Sequence, residues 1–143
     1  MNKESGEIKE KILEIFNSND AMTLATTGSE YSPWVLGVYF VNKELSVYLL
    51  LETEGKTMAN LKVNNKVAIC ISKNDAMQDF LQGYGEAFVL DDDEEDNVRK
   101  MLLKKMPWFQ TFTPISPVKI NINEFFVSSL NKGWFPAKQY ELK

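Results

Sequence analysis

Apolar residues recur at helical spacing near the start of the chain. Ile8, Ile12, Leu13, Ile15 and Phe16 stand among charged residues, which predicts an amphipathic helix over Glu7–Phe16. The pattern then changes to short runs rich in β-branched and aromatic residues. Ala21–Thr27, Pro33–Val41, Leu45–Glu52, Lys66–Ser72 and Phe80–Leu90 read as strands. Gly28-Ser29-Glu30 and Asn42-Lys43 supply turns between the first three. After a break at Thr53–Gly55, Thr57–Val63 predicts a short helix with Leu61 as an inward contact. The loop Lys73–Met77 leads to the fifth strand, where Gly83 and Gly85 predict a bend or bulge.

The acidic run Asp91–Glu95 has two readings, a metal loop or a helix start. Arg99, Lys100, Lys104 and Lys105 follow it. Acids at one end and cations at the other suit a helix dipole, with Asp91 or Asp92 as the cap, and the helix reading is preferred. Pro107 ends that helix. Pro117–Asn121 and Phe125–Leu130 predict the last β segments, and Asn131–Lys143 is a tail carrying Gly133-Trp134-Phe135-Pro136.

No internal repeat or linker divides the 143 residues, so 1–143 is one domain. Tight turns between the first three strands imply antiparallel pairing. About six strands with few helices predict a closed or nearly closed barrel, because closure removes exposed edges. A doubly wound sheet needs helices between most strands, and the pattern lacks them.

Composition narrows the chemistry. The longest apolar runs, Pro33–Val41 and Leu45–Leu51, are too short to span a bilayer, and the chain does not start with a basic-then-apolar segment. The single cysteine, Cys70, excludes an internal disulfide and suits a reducing compartment, so a cytoplasmic protein is expected. Its flanking Ile69 and Ile71 suggest a buried, inert thiol. A net charge of −4 argues against a nucleic-acid partner. Histidine is absent, which removes the usual general base and the commonest zinc and heme ligand. Chemistry here is expected from a bound cofactor, with no metal site.

Glu54-Gly55-Lys56-Thr57 lies between a predicted strand and a predicted helix, a place where chains bind phosphate. A nucleotide-binding P-loop would need glycine five positions before Gly55, where Leu50 stands, so the loop is too short to wrap a triphosphate. A single terminal phosphate remains open. On the tripeptide alone, a solvated Lys56 and a plain helix cap at Thr57 are the simpler reading.

The wider context changes that weighting. Thr53–Ile69, with Asn60-Leu61 and Asn64-Asn65-Lys66-Val67-Ala68, resembles the stretch after the third strand of the pyridoxamine-phosphate-oxidase-like FMN-binding split-barrel family. The resemblance runs from Ala21-Met22-Thr23-Leu24-Ala25-Thr26 to Gly83-Tyr84-Gly85-Glu86-Ala87. It implies a mainly β (α+β) fold, a six-stranded antiparallel split β-barrel with flanking helices. It also implies FMN at a homodimer interface. By position, Lys56 and Thr57 should hold the FMN phosphate, and the backbone of Val35, Leu36, Gly37 and Val38 should face the isoalloxazine. Gln82, Tyr84 and Trp134 are further candidates to line the cofactor, and Trp34 and Trp108 could shield it. No catalytic side chain is identified. The family's naming enzyme holds its substrate with arginine and histidine near the C-terminus, whereas Arg99 is the sole arginine here. Pyridoxamine phosphate oxidation and heme handling are both disfavoured, and the basic groove of the deazaflavin branch is not evident. The expected function is an FMN-dependent oxidoreductase acting on a small planar substrate. A non-catalytic FMN carrier or electron-transfer module is the alternative, and a cofactor-free dimeric barrel is a third reading.

Overall fold

A computed structural model describes residues 2–142. Helix α1 (Lys3–Ser18) is followed by β1 (Ala21–Thr26), β2 (Trp34–Tyr39), β3 (Val41–Lys43) and β4 (Ser46–Glu52). Helix α2 (Lys56–Leu61) precedes β5 (Lys66–Ile71) and β6 (Phe80–Val89). A 3-10 turn (Asp92–Glu94) leads into α3 (Glu95–Lys105), then β7 (Ile115–Ser129) and β8 (Trp134–Glu141). None of these helices is long and apolar enough to cross a membrane.

The strands form one antiparallel sheet in the order β2-β1-β5-β6-β7-β4-β3, with β8 added on β7. The two ends of this path, β2 and β3, are separated in sequence by Phe40 alone. A flat seven-strand path would hold them far apart, since neighbouring strands are about 4.8 Å apart. The sheet therefore curls until its edges approach, which makes an antiparallel split barrel with flanking helices. Between β2 and β4 there is no ladder, and that gap is the split.

Phe40 sits fully buried at this corner, edge-on to Phe16 at 5.7 Å. Lys105 at the end of α3 ties the corner down. Its ammonium donates to the carbonyls of Phe16, Asn19 and Phe40 at 3.1, 2.6 and 3.2 Å. Burial pushes the Lys105 pKa down, opposed by the charge of Asp20. Helix α1 closes one end of the barrel with Ile8, Ile12, Ile15 and Phe16. Gly83 and Gly85 mark the expected bulge, which falls between Tyr84 and Gly85. A Cβ on Gly85 would lie 1.9 Å from the Asn121 carbonyl oxygen, so only glycine lets β7 pass.

Four expectations need correction. Among the described residues the barrel has eight strands rather than six. The predicted strand Pro33–Val41 breaks at Phe40, and its end pairs with β4 as a short hairpin while β2 pairs with β1. Pro117–Asn121 and Phe125–Leu130 belong to one strand, and the supposed tail adds β8 to it. The acidic run does begin the helix, but through the 3-10 turn and with no side-chain cap from Asp91 or Asp92.

Candidate functional site

Helix α2 starts where β4 ends, at the split. Gly55 precedes it in extended conformation, with Glu52 too close behind for a larger residue to sit comfortably. The first turn of a helix leaves N–H groups without intrahelical acceptors. Thr57 is 4% exposed, and its hydroxyl makes no hydrogen bond within the protein. An unpaired buried hydroxyl costs about 1–3 kcal/mol. Such a group is retained at a cost that a ligand oxygen would remove.

Lys56 is exposed, and among the described residues its ammonium forms no ion pair. It lies 5.3 Å from the ring centre of Tyr31 and 5.6 Å from that of Trp34. Two aromatic faces hold the charge beside Thr57 without neutralising it. Their placement depends on Asn60, which is fully buried one turn along α2. The Asn60 amide donates to Thr26 Oγ1 at 3.0 Å and to the Tyr31 carbonyl at 2.8 Å. Its oxygen accepts from the Ser29 N–H at 2.8 Å and from the Ser29 hydroxyl. One side chain thus fastens the loop before β2 to α2. A cavity of about 170 Å³ opens between Lys56–Thr57, Trp34 and Leu36 of β2, and Leu51 and Glu52 of β4. One ammonium, one free hydroxyl and helix N–H groups form a donor set suited to a phosphate.

A second groove, about 270 Å³, shares Leu36, Leu51 and Glu52 with this cavity and runs along Gly37–Tyr39 toward Phe109–Thr113. Strand β2 borders both. Leu36 and Val38 pair with core positions Leu24 and Met22, whereas Val35 and Gly37 share the outer face. Val35 is 61% exposed, and a Cβ on Gly37 would meet nothing within 4 Å. The protein's own packing gives no reason for that glycine.

The structure does not bring all the expected residues together. Gln82 lies across from Cys70 on the outer sheet face, in a separate hollow with Thr23 and Tyr84. Tyr84 donates to Glu124, whose carboxylate also accepts from Gln139. The hydrogen bond to Glu124 and its charge raise the Tyr84 pKa. Trp134 is 7% exposed and packs in the core, while the neighbouring Phe135 is exposed. Cys70 is not buried as expected. It is half-exposed on the outer face, because Ile69 and Ile71 take the core side. Sequence reasoning missed Asn60 as an organiser, Tyr31 beside Lys56, and the aromatic loop at Phe109–Phe112. A polar residue on the buried face of α2 was the available signal for the first.

The sequence profile described as pyridoxamine 5'-phosphate oxidase matches residues 8–119. The chain belongs to this family. Solved structures share the pyridoxamine 5'-phosphate oxidase fold at low identity. A Listeria innocua protein, provisionally described as a pyridoxamine 5'-phosphate oxidase, is 20% identical over 84% of this chain and 97% of its own, with a TM-score of 0.69. HutZ, the heme storage protein of Vibrio cholerae, is 19% identical over 82% of this chain and 92% of its own, with a TM-score of 0.68. A heme binding protein of Mycobacterium smegmatis is 16% identical over 99% of this chain but 59% of its own, with a TM-score of 0.74. No curated protein matches the sequence. Family membership accounts for the barrel, but proteins with different described roles share that fold.

Proposed function

We propose that this family member is an FMN-binding homodimeric oxidoreductase that acts on a small planar substrate. One observation carries the reading: the buried, unpartnered hydroxyl of Thr57 stands beside the unpaired ammonium of Lys56. The residues fit the terminal phosphate of FMN. Lys56 supplies charge, and Thr57 donates its hydroxyl hydrogen and its N–H. Asn60 positions both through the loop it fastens, and Tyr31 and Trp34 orient the ammonium. The backbone of Val35–Val38 offers N–H and C=O groups toward the split, where β2 has no strand neighbour. Bound FMN would supply hydride or electron transfer.

An exposed apolar strand supports the homodimer part of the reading. Val35 and Leu36 are exposed apolar residues on a strand beside a small-residue outer face of Thr23, Ala25 and Ala68. An apolar surface of this kind marks an interaction site, and Gln82 on that face would reach the partner's cofactor. Heme is the ligand named for two relatives, but this chain has no histidine to ligate it.

Titration of the protein with FMN, followed by flavin fluorescence and sedimentation, tests the proposal. Lys56→Ala should fold normally and weaken FMN binding about 10- to 100-fold, since a hydrogen bond to a charged group is worth about 1.5–3 kcal/mol. Unchanged affinity would remove Lys56 from the site, and a monomer at all concentrations would remove the dimer. Flavin held without turnover of any acceptor would leave the carrier function.

A further inference from the structure

We infer that the loop after α3, residues 107–114, is the substrate wall of the β2 groove and selects flat, unphosphorylated rings. The inference rests on the cofactor reading above and names the substrate class for that site.

The loop is firmly held. The Thr53 N–H donates to the Pro114 carbonyl, and the Phe109 N–H to that of Met106. Arg99 of α3 donates to the Thr111 hydroxyl at 3.2 Å while pairing with Glu95. Met106 and Phe109 pack with Val98 and Leu102 beneath it. Yet this anchored loop presents Trp108 at 56% and Phe112 at 84% exposure. Trp108 and Phe109 meet Tyr39 of β2 edge-on at 5.0 and 6.2 Å. Large rings on a fixed frame form a stacking surface rather than a disordered tip.

Charge sets the selectivity. Among the described residues, Glu52 is the only charged one lining the groove, and where it also borders the adjoining cavity Lys56 stands there to offset it. Lys56 lies at the far end, in the adjoining cavity, and is used by the cofactor phosphate. Arg99 stands behind the loop with its charge paired to Glu95. A phosphorylated substrate would bring a dianion to a wall with an acid and no cation. A neutral flat ring meets Phe112, Phe109 and Tyr39 at no such cost.

Calorimetric and tryptophan-emission titrations with menadione, pyridoxine and pyridoxine 5'-phosphate test this, with and without FMN. Menadione and pyridoxine should bind at least about tenfold tighter than the phosphate ester, because like charges repel in a partly dry site. Phe112→Ala, at an exposed position, should cost about fivefold in menadione affinity and leave FMN affinity and sedimentation unchanged. Phe112→Lys should raise affinity for pyridoxine 5'-phosphate. Equal binding of pyridoxine and its phosphate overturns the inference, as does conversion of Phe112→Ala to monomer, which would make the loop a contact between copies. Failure to take up FMN overturns the cofactor reading instead. Ring selectivity is then read on the protein without FMN, and its absence there also sinks the inference.

Discussion

Replacing Thr57 by valine should make the protein more stable and worse at binding FMN, two effects of opposite sign from one atom. Valine has nearly the same volume and the same branching at Cβ, so packing and helix preference change little. What changes is the hydroxyl, which is buried and makes no hydrogen bond within the protein. Leaving a buried polar group unpaired costs about 1–3 kcal/mol, and replacing it by an apolar group of the same shape removes that cost. Thr57→Val without FMN should therefore unfold at higher urea, with a gain of about 1 kcal/mol at the lower end of the range. With FMN, the hydroxyl donates to a charged phosphate oxygen, a bond worth about 1.5–3 kcal/mol. At about 1.4 kcal/mol per decade, FMN affinity should fall about 10- to 100-fold. Urea unfolding of the FMN-free protein and fluorescence titration with FMN measure the two effects separately. A valine variant that is less stable and binds FMN as before would refute the reasoning, because the hydroxyl would then have a partner other than the cofactor.

Two further outcomes follow from polar contacts that hold the site and the barrel. Asn60→Ala should destabilise the fold by about 3 kcal/mol or more, since it leaves Thr26, Ser29 and the Tyr31 carbonyl without their partner, and FMN affinity should fall with it; equal urea midpoints would show that the loop stands without Asn60. Lys11, 9% exposed, bonds Asp79 at 2.6 Å and Glu14 at 3.1 Å. Burial opposes both charges of the Lys11–Asp79 pair, but the hydrogen bonds outweigh it. Lys11 titrates above its ordinary 10.5 and Asp79 below its ordinary 3.8. The pair's contribution is therefore present between those limits, lost as pH falls through the lowered Asp79 value and lost as it rises through the raised Lys11 value. The stability difference between the native protein and Asp79→Asn should be flat from about pH 5 to about pH 9 and should shrink below pH 3.8; a gap that widens in acid would reverse the sign.

What could be read from the sequence was local. Ile8, Ile12 and Phe16 reveal α1 because the whole signal lies within four turns, and the structure extends it to Lys3, where the capping Asn2 side chain accepts from the Ser5 N–H at 2.7 Å. Gly83 and Gly85 announced a bulge because glycine in a strand has few other uses. The stretch Ile122–Glu124 reads as a gap between the last β segments, but the strand continues through it, and Asn123 is the unpaired extra residue of that same bulge. Strand β8 has no alternation of its own strong enough to show, and it forms because β7 offers a free edge. Strand β3 depends on the buried Phe40 corner, which brings the ends of a seven-strand path together. These are decisions between distant segments, and no window of sequence contains them.

The site divides in the same way. Lys56 and Thr57 are legible because their chemistry is carried by residue type and by position at a strand-to-helix junction. The burial of Thr57 is not legible, since β2 and β4 create it from residues more than a turn of helix away in sequence. Strand β2 shows the limit most clearly. Its Val35, Leu36 and Gly37 belong to an apolar run, yet the first two are 61% and 38% exposed and the third has open space where a side chain would be. A strand this apolar at a sheet edge is an aggregation hazard unless something covers it. Within the barrel, only the Leu36–Val38 side faces core partners, so the outer side needs cover from outside the chain. A cofactor ring in the split would cover the edge but not the outer face of Thr23, Ala25 and Ala68. A second copy would cover that face but leave Lys56 and Thr57 unpaired. The proposed function meets both demands, and each half is measurable without the other.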